Sequence, residues 1–214
     1  NGYMQTGWKY LSGSWYYLNS SGGMVTGWQT IGNNRYLFSS SGTLQTGWQQ
    51  SGGVWYYFDS NGYLQTGWKQ ISGVWYFLNG AGAMETGLKE IAGTKYFFTD
   101  SGAMQTGWKW IAGGYYYFKS SGAMQTGWYQ ENNKWYYLAE NGHYVSDKWE
   151  KVNGLWYHFR RGGELDTNQW VGSYYVKDDG TMADKEWIFD KGYNNWFYIQ
   201  EGGLYVRNKW LELN

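Results

Sequence analysis

The stretch MQTGWKYLSGSWYYLNSSGGMVTGW, Met4 to Trp28, ends as it begins, on Thr-Gly-Trp, 20 residues later. The same tripeptide recurs at Trp48, Trp68, Trp108 and Trp128, and Leu88 fills the remaining place in ETGLKE. Beyond it the pattern loosens to SDKW at Trp149, TNQW at Trp170, DKEW at Trp187 and RNKW at Trp210, spaced by 21, 21, 17 and 23 residues. A fixed period of this size marks a repeat architecture, in which one small supersecondary unit is copied along the chain.

Each unit reads as a β-hairpin. TGWKYL meets Ser12-Gly13 and continues as SWYYLN. The same slot holds Gly32-Asn33, Gly52-Gly53, Ser72-Gly73, Ala92-Gly93, Ala112-Gly113, Asn132-Asn133 and Asn153-Gly154. Two-residue primed turns need positive φ, which favours these residue types. A second glycine recurs in the connectors, from Gly22 to Gly142, and suits a left-handed turn into the next hairpin. With Ser12-Gly13 as the turn, Trp8, Tyr10, Trp15 and Tyr17 share one face, and Lys9, Leu11, Tyr16 and Leu18 share the other. Compared across repeats, the second face carries Ile31, Ile71, Ile91 and Ile111, then a tyrosine, then Phe38, Phe58, Leu78, Phe98 and Phe118, which is the pattern of a core. The first face reads Trp, variable, Trp, Tyr, and its variable slot holds Thr30, Gln50, Gln70, Glu90 and Gln130, which belong in water. A lone hairpin is marginal in water, whereas stacked hairpins bury one continuous core. The expected fold is all-β: an elongated solenoid of about ten stacked hairpins.

Composition agrees. The 214 residues include 17 Trp, 23 Tyr, 9 Phe and 33 Gly, with neither Pro nor Cys, and mean hydropathy is −0.69. Aromatic rings therefore carry most of the apolar surface. The 17 basic and 17 acidic residues cancel and form no basic block, which argues against nucleic acid as a partner. No apolar run approaches the roughly 18 residues of a membrane-spanning helix. The lack of cysteine removes disulfides and thiolate metal sites, and no cofactor motif is present. No signal peptide is visible, and Asn1 enters in mid-repeat, which points to a longer parent chain.

Two tryptophans of one hairpin and an aromatic of the next make a three-walled box. Three electron-rich ring faces around a small hole suit a quaternary ammonium, at roughly 0.5–2 kcal/mol per contact. Such a cation has no N–H to donate and needs no acid beside it. That fits a chain whose first 84 residues contain one carboxylate side chain, Asp59. A sugar would also stack on tryptophan but asks for directional polar groups around the ring. The plainer role for these tryptophans is glue between coils; it leaves unexplained why aromatics recur beside an exposed polar slot.

TGWKQISGVWYFLNGAGAMETG and TGWQQSGGVWYYFDSNGYLQTGW closely resemble the choline-binding repeats of pneumococcal and related surface proteins. The resemblance is close over residues 1–140, read as regular 20-residue repeats. It continues over 141–214 as degenerate repeats such as DKEWIFDKGYNNWFYIQEGGLYV, in the same solenoid. It implies a left-handed β-solenoid, a secreted protein held at the bacterial cell surface, and attachment to choline or phosphocholine on teichoic and lipoteichoic acids of the wall. It also implies pairing of two copies through terminal repeats when choline is bound. In the family the box uses the Gly-Trp tryptophan, the first aromatic of Trp-Tyr-Tyr and an aromatic of the following repeat. Carried over, this implies boxes at Trp48, Trp55 and Phe77; at Trp68, Trp75 and Phe97; at Trp108, Tyr115 and Tyr137; and at Trp149, Trp156 and Tyr175. Trp128 and Trp135 meet His158 in the third place, and Trp8 and Trp15 meet Leu37. Met84, Met104 and Met124 are candidate extra walls. Trp28 faces Arg35 and Leu88 faces Lys95, where a fixed positive charge opposes a cation, and Trp170 has Ser173 in place of the second tryptophan.

Three other functions compete with this one. An enzyme finds no support: His143 and His158 have no nucleophile setting, no glycine-rich phosphate loop leads into a helix, and Asp178-Asp179 sit in a hairpin connector as turn residues. Catalysis is expected only from another domain of a longer protein. A glucan-binding module is a closer rival, since related aromatic–glycine repeats in streptococcal glucosyltransferases bind glucan. The second tryptophan seven residues after Gly-Trp favours a box over a flat platform. A host-facing adhesin remains open through the Arg35 and Lys95 patches.

Overall fold

The computed structural model describes residues 3–206; Trp210 lies outside them. Twenty strands make ten antiparallel two-stranded hairpins among the described residues. They fall into two compact units divided after Gln105. The first contains β1 (Gly7–Leu11), β2 (Ser14–Leu18), β3 (Gly27–Ile31), β4 (Asn34–Phe38), β5 (Gly47–Ser51), β6 (Val54–Phe58), β7 (Gly67–Ile71), β8 (Val74–Leu78), β9 (Gly87–Ile91) and β10 (Thr94–Phe98). The second contains β11 (Gly107–Ile111), β12 (Gly114–Phe118), β13 (Gly127–Glu131), β14 (Lys134–Leu138), β15 (Lys148–Val152), β16 (Leu155–Phe159), β17 (Gln169–Val171), β18 (Tyr174–Val176), β19 (Glu186–Asp190) and β20 (Asn195–Ile199). Among the described residues no helix is long and apolar enough to cross a membrane.

The hairpin register is the expected one: Leu11 pairs with Ser14, Tyr10 with Trp15 and Trp8 with Tyr17. The two-residue turns carry positive φ, for instance Ser12 at 50° with Gly13 at 83° and Asn132 at 50° with Asn133 at 59°. The fold is a β-solenoid within each unit, because every connector adds a third, short backbone rung. Met84 bridges Leu78 of its own hairpin, and its amide donates to the carbonyl of Trp55 in the preceding hairpin at 2.9 Å. Leu44 does the same to Trp15 (2.8 Å), Leu64 to Arg35 (3.0 Å) and Met104 to Trp75 (2.9 Å). In the second unit Tyr144 bonds Tyr115 (3.0 Å), Leu165 bonds Trp135 (2.8 Å) and Met182 bonds Trp156 (2.8 Å). These bonds satisfy strand-edge groups that a lone hairpin leaves to water.

Within each unit the core lies under the last residue of each second strand. Phe58, Leu78, Phe98, Phe118, Leu138, Phe159, Val176 and Ile199 are fully buried. Inside each unit the connectors stack beside that core. A β-carbon on Gly102 would collide with the Met84 sulfur, and one on Gly82 would come within 2.7 Å of Leu64, so the connector glycine is fixed by close approach as well as by its φ of +80° or more.

The irregular spacings have local causes. In the regular repeats the left-handed residue is the glycine before tryptophan, such as Gly127 at φ 74°. In the later repeats Asp147 (54°), Asn168 (49°) and Lys185 (53°) take that conformation one place earlier, and Lys148 then starts a strand opposite Phe159 as an ordinary extended residue. One inserted residue gives the period of 21. The interval of 17 that follows arises because β17 and β18 are each two residues shorter than their counterparts.

Candidate functional site: aromatic boxes between hairpins

In hairpin β5–β6, Trp48 pairs with Tyr57 and Gln50 with Trp55, so the two tryptophans are diagonal neighbours on one face. Their rings lie 6.5 Å apart at 87° and form a corner. Tyr76 of β8 closes the third side, 4.9 Å from Trp48 at 63°. Met84, fixed by its backbone bond to Trp55, is the fourth wall. The cavity is about 310 Å³, lined by Trp48, Trp55, Tyr76, Met84 and Ser101. Trp55 is 40% exposed, so the box opens to solvent.

The arrangement repeats. Trp68 and Trp75 lie 6.3 Å apart at 81°, with Tyr96 at 4.8 Å from Trp68 and Met104 bonded to Trp75. Trp8 and Trp15 form a corner closed by Tyr36 at 4.9 Å, around a cavity of about 340 Å³ that also touches Leu44, Ser60, Asn61 and Tyr63. In the second unit Trp128 and Trp135 are closed by Tyr157 at 4.8 Å. Trp149, Trp156, Tyr174 and Met182 surround about 310 Å³, and Trp108, Tyr115, Tyr136 and Tyr144 surround about 230 Å³. The last box has four aromatic walls, Tyr144 standing where the others have Met or Leu.

The third wall corrects every assignment made from sequence. Phe77 lies 5.1 Å from Trp68 of its own hairpin, Tyr137 5.2 Å from Trp128, and Tyr175 5.1 Å from Trp170. Phe97 pairs with Leu88, and Leu37 with Trp28, each inside its own hairpin. His158 lies 5.0 Å from Trp149 and does not close the Trp128 box. The closing residues are the preceding ones, Tyr76, Tyr96, Tyr136, Tyr174, Tyr36 and Tyr157. The cause is the stacking: the tryptophan face of one hairpin meets the tyrosine–phenylalanine face of the next. Trp68, for example, touches both Tyr96 and Phe98. The two faces are halves of one interface, and side chains one residue apart point to opposite faces. Sequence reading named Met84, Met104 and Met124 as candidate extra walls; Met84 lines the Trp48 cavity, and Leu44, Tyr144 and Met182, which line the matching cavities, were missed. Their shared position two residues after a connector glycine was the available signal. Met124 bridges Phe118, and a β-carbon on Gly142 would strike it.

Three positions depart from the box. Arg35 occupies the place of the second tryptophan, and its guanidinium carbon stands 4.7 Å from the Trp28 ring centroid, so a cation of the chain itself already sits on that ring. Leu88 and Lys95 replace both indoles of hairpin β9–β10. Trp170 packs on Tyr175, Phe197 and Tyr205 at 5.1–5.2 Å, and its indole N–H donates to Asp190 at 2.8 Å. The shortened strands put Gly172 and Ser173 in the turn, with no aromatic at the place of the second tryptophan.

The polar groups nearby have partners. Asp166, buried, accepts from His158 (2.6 Å) and Arg160 (2.6 Å). His143 hydrogen-bonds the Tyr116 hydroxyl, in space that Gly114 leaves open. The Trp108 indole N–H donates to Glu131 at 3.0 Å, which also accepts from the Tyr129 hydroxyl at 3.0 Å; burial, with Tyr117 and Glu131 beside it, pushes the Tyr129 phenol well above its ordinary range. Among the described residues no group of three or more His, Asp or Glu could hold a metal. The boxes are thus aromatic and aliphatic, with few hydrogen-bonding groups at their walls. Rings at right angles present their negative faces to one small volume, which is the geometry for a cation that donates no hydrogen bond.

The model of the family described as "Choline-binding repeat" matches residues 25–62, 45–86 and 105–149. A second model, "Putative cell wall binding repeat", matches 6–24, 86–104 and 147–165. The chain belongs to the choline-binding repeat family. As such it is a choline-binding module associated with the bacterial cell wall. It is similar to CbpJ of Streptococcus pneumoniae TIGR4, with TM-score 0.80 and 34% identity over 85% of this chain and 72% of that one. It is similar to choline binding protein F of Streptococcus pneumoniae, with TM-score 0.74 and 35% identity over 79% of this chain and 61% of that one. A curated relative, "Putative endo-beta-N-acetylglucosaminidase" of Streptococcus pneumoniae serotype 4, strain TIGR4, is 32% identical over 71 residues, 33% of this chain and 11% of the relative. The matched repeats are therefore a small part of that protein.

Proposed function

We propose that this chain anchors the protein that carries it to the cell wall by enclosing the choline of phosphocholine-decorated teichoic and lipoteichoic acids, one choline to a box. The observation that carries the reading is the repeated corner of two perpendicular aromatic rings closed by a tyrosine of the next hairpin, with one wall half exposed. A trimethylammonium group fits such a box, and its phosphate side can remain in water. The sites are Trp48–Trp55–Tyr76, Trp68–Trp75–Tyr96, Trp8–Trp15–Tyr36, Trp108–Tyr115–Tyr136, Trp128–Trp135–Tyr157 and Trp149–Trp156–Tyr174. The module itself is non-catalytic; any hydrolysis belongs to another part of a longer, secreted protein. Choline-dependent pairing of two copies is part of the same reading, measurable by sedimentation with and without choline.

The test is a choline titration followed by tryptophan fluorescence and thermal melting, with glucose and isomaltose as controls. The expected result is a saturable fluorescence change and a raised melting temperature with choline alone. A response to the sugars and none to choline would sink the reading in favour of glucan binding.

A further inference from the structure

The variable slot beside the boxes holds an exposed hydrophilic residue in most hairpins: Thr30, Gln50, Gln70, Glu90, Gln130 and Lys151. Nothing in the fold requires an aromatic there. Hairpin β11–β12 nevertheless carries Trp110, which is 62% exposed. Its ring lies 4.8 Å from Tyr115, its cross-strand partner. Tyr115 is at the same time a wall of the neighbouring box, 5.4 Å from Tyr144. Hairpin β1–β2 repeats the arrangement: Tyr10, 60% exposed, lies 5.2 Å from Trp15, a wall of the Trp8 box.

We infer that Trp110 with Tyr115, and in the same way Tyr10 with Trp15, form a platform for a pyranose ring of the cell-wall glycan, continuous with the choline box. This rests on the choline reading for the box beside it. The platform has two rings and no third wall, so a quaternary ammonium would stay in water on most sides, where a cation–π contact is weakest. A protein partner is a poor match, since a specific interface needs about 1,000 Å² or more of buried surface. A sugar ring is matched in size and character. Its axial C–H face covers an exposed indole, and Tyr115 brings a hydroxyl for directional bonding. A polymer held by its choline in the box has its own sugar units tethered beside Trp110, so a weak stacking contact gains from high effective concentration. An aromatic at this slot thus separates recognition of free choline from recognition of the polymer that bears it.

The experiment compares the whole chain with its Trp110→Gln variant, Gln being the residue at slots 50, 70 and 130. Three probes are used: free choline, purified choline-bearing teichoic acid, and choline-free peptidoglycan glycan strands. Melting curves check that the variant is folded. The expected result is unchanged affinity for free choline and several-fold weaker binding of at least one glycan; the one that weakens identifies the source of the sugar. Unchanged binding of both glycans would overturn the inference. So would a loss on free choline equal to the loss on teichoic acid, which would make Trp110 an outlying box wall. A wild-type chain that ignores free choline would count against the choline reading, while dependence of the glycan-strand arm on Trp110 would still be scored separately.

Discussion

Tyr76 and Phe77 are adjacent in the chain, and the two point to opposite faces of β8. Both are aromatic, and a mistake between them leaves the chemistry of the box unchanged but moves its wall to the neighbouring hairpin. Substitution distinguishes them. Tyr76→Leu should weaken choline at the Trp48 box by the value of one ring contact, roughly 0.5–2 kcal/mol or about 2- to 30-fold. Phe77→Leu should leave that box unaffected. Site-resolved titration of the Trp48 indole N–H resonance reads this directly; the reverse pattern would mean that the hairpins stack with the other face inward. Most of each site was legible at this scale, because the Trp48–Trp55 diagonal follows from strand register alone. The third wall was not, because register inside a hairpin carries no information on which face of the next hairpin it meets. Arg35 shows the same division: its charge was visible in the sequence, but not that its guanidinium rests on Trp28.

The hairpins are set by their turns. Ala112 adopts φ 47° and Ala92 φ 49°, a conformation that costs an L-residue with a β-carbon roughly 1–2 kcal/mol, while Asn132 adopts 50° in the same slot. Asn-Gly is a favoured pair for this turn, so Ala112→Asn should stabilise the chain by about 0.5–1 kcal/mol. Chemical denaturation should show a higher midpoint with an unchanged slope. An unchanged midpoint would mean that the turn is not strained. Turns of this kind were readable from dipeptides such as Ser12-Gly13. The shifted left-handed residues were not, since Asp147, Asn168 and Lys185 replace a glycine that would have marked the place. Their conformation is imposed by the inserted residue and by rungs such as Asp147 N–H to the Arg160 carbonyl at 3.1 Å.

Across the molecule, each box joins consecutive hairpins, so occupancy of a box and stability of the solenoid around it are linked. A repeat protein is held by nearest-neighbour interfaces, and a ligand that binds only the folded state stabilises it by RT ln(1 + [L]/Kd), about 2.7 kcal/mol per site at 100 Kd. Choline should therefore raise the melting temperature with an amplitude that grows with the number of intact boxes, and Trp55→Ala should remove one increment while leaving the other hairpins folded. The repeat, the hairpin and the family were all legible in the sequence because the same 20-residue pattern is written many times over. The irregular positions, Arg35, Leu88, Lys95 and the short hairpin β17–β18, are where repetition fails and packing decides. The most direct measurement is a crystal structure of the chain soaked in choline. Choline should lie between Trp48, Trp55 and Tyr76 and in the five matching boxes, with Arg35 still on Trp28 and no choline there. Choline bound against Phe77, or absent from the boxes at saturating concentration, would contradict this assignment of the site.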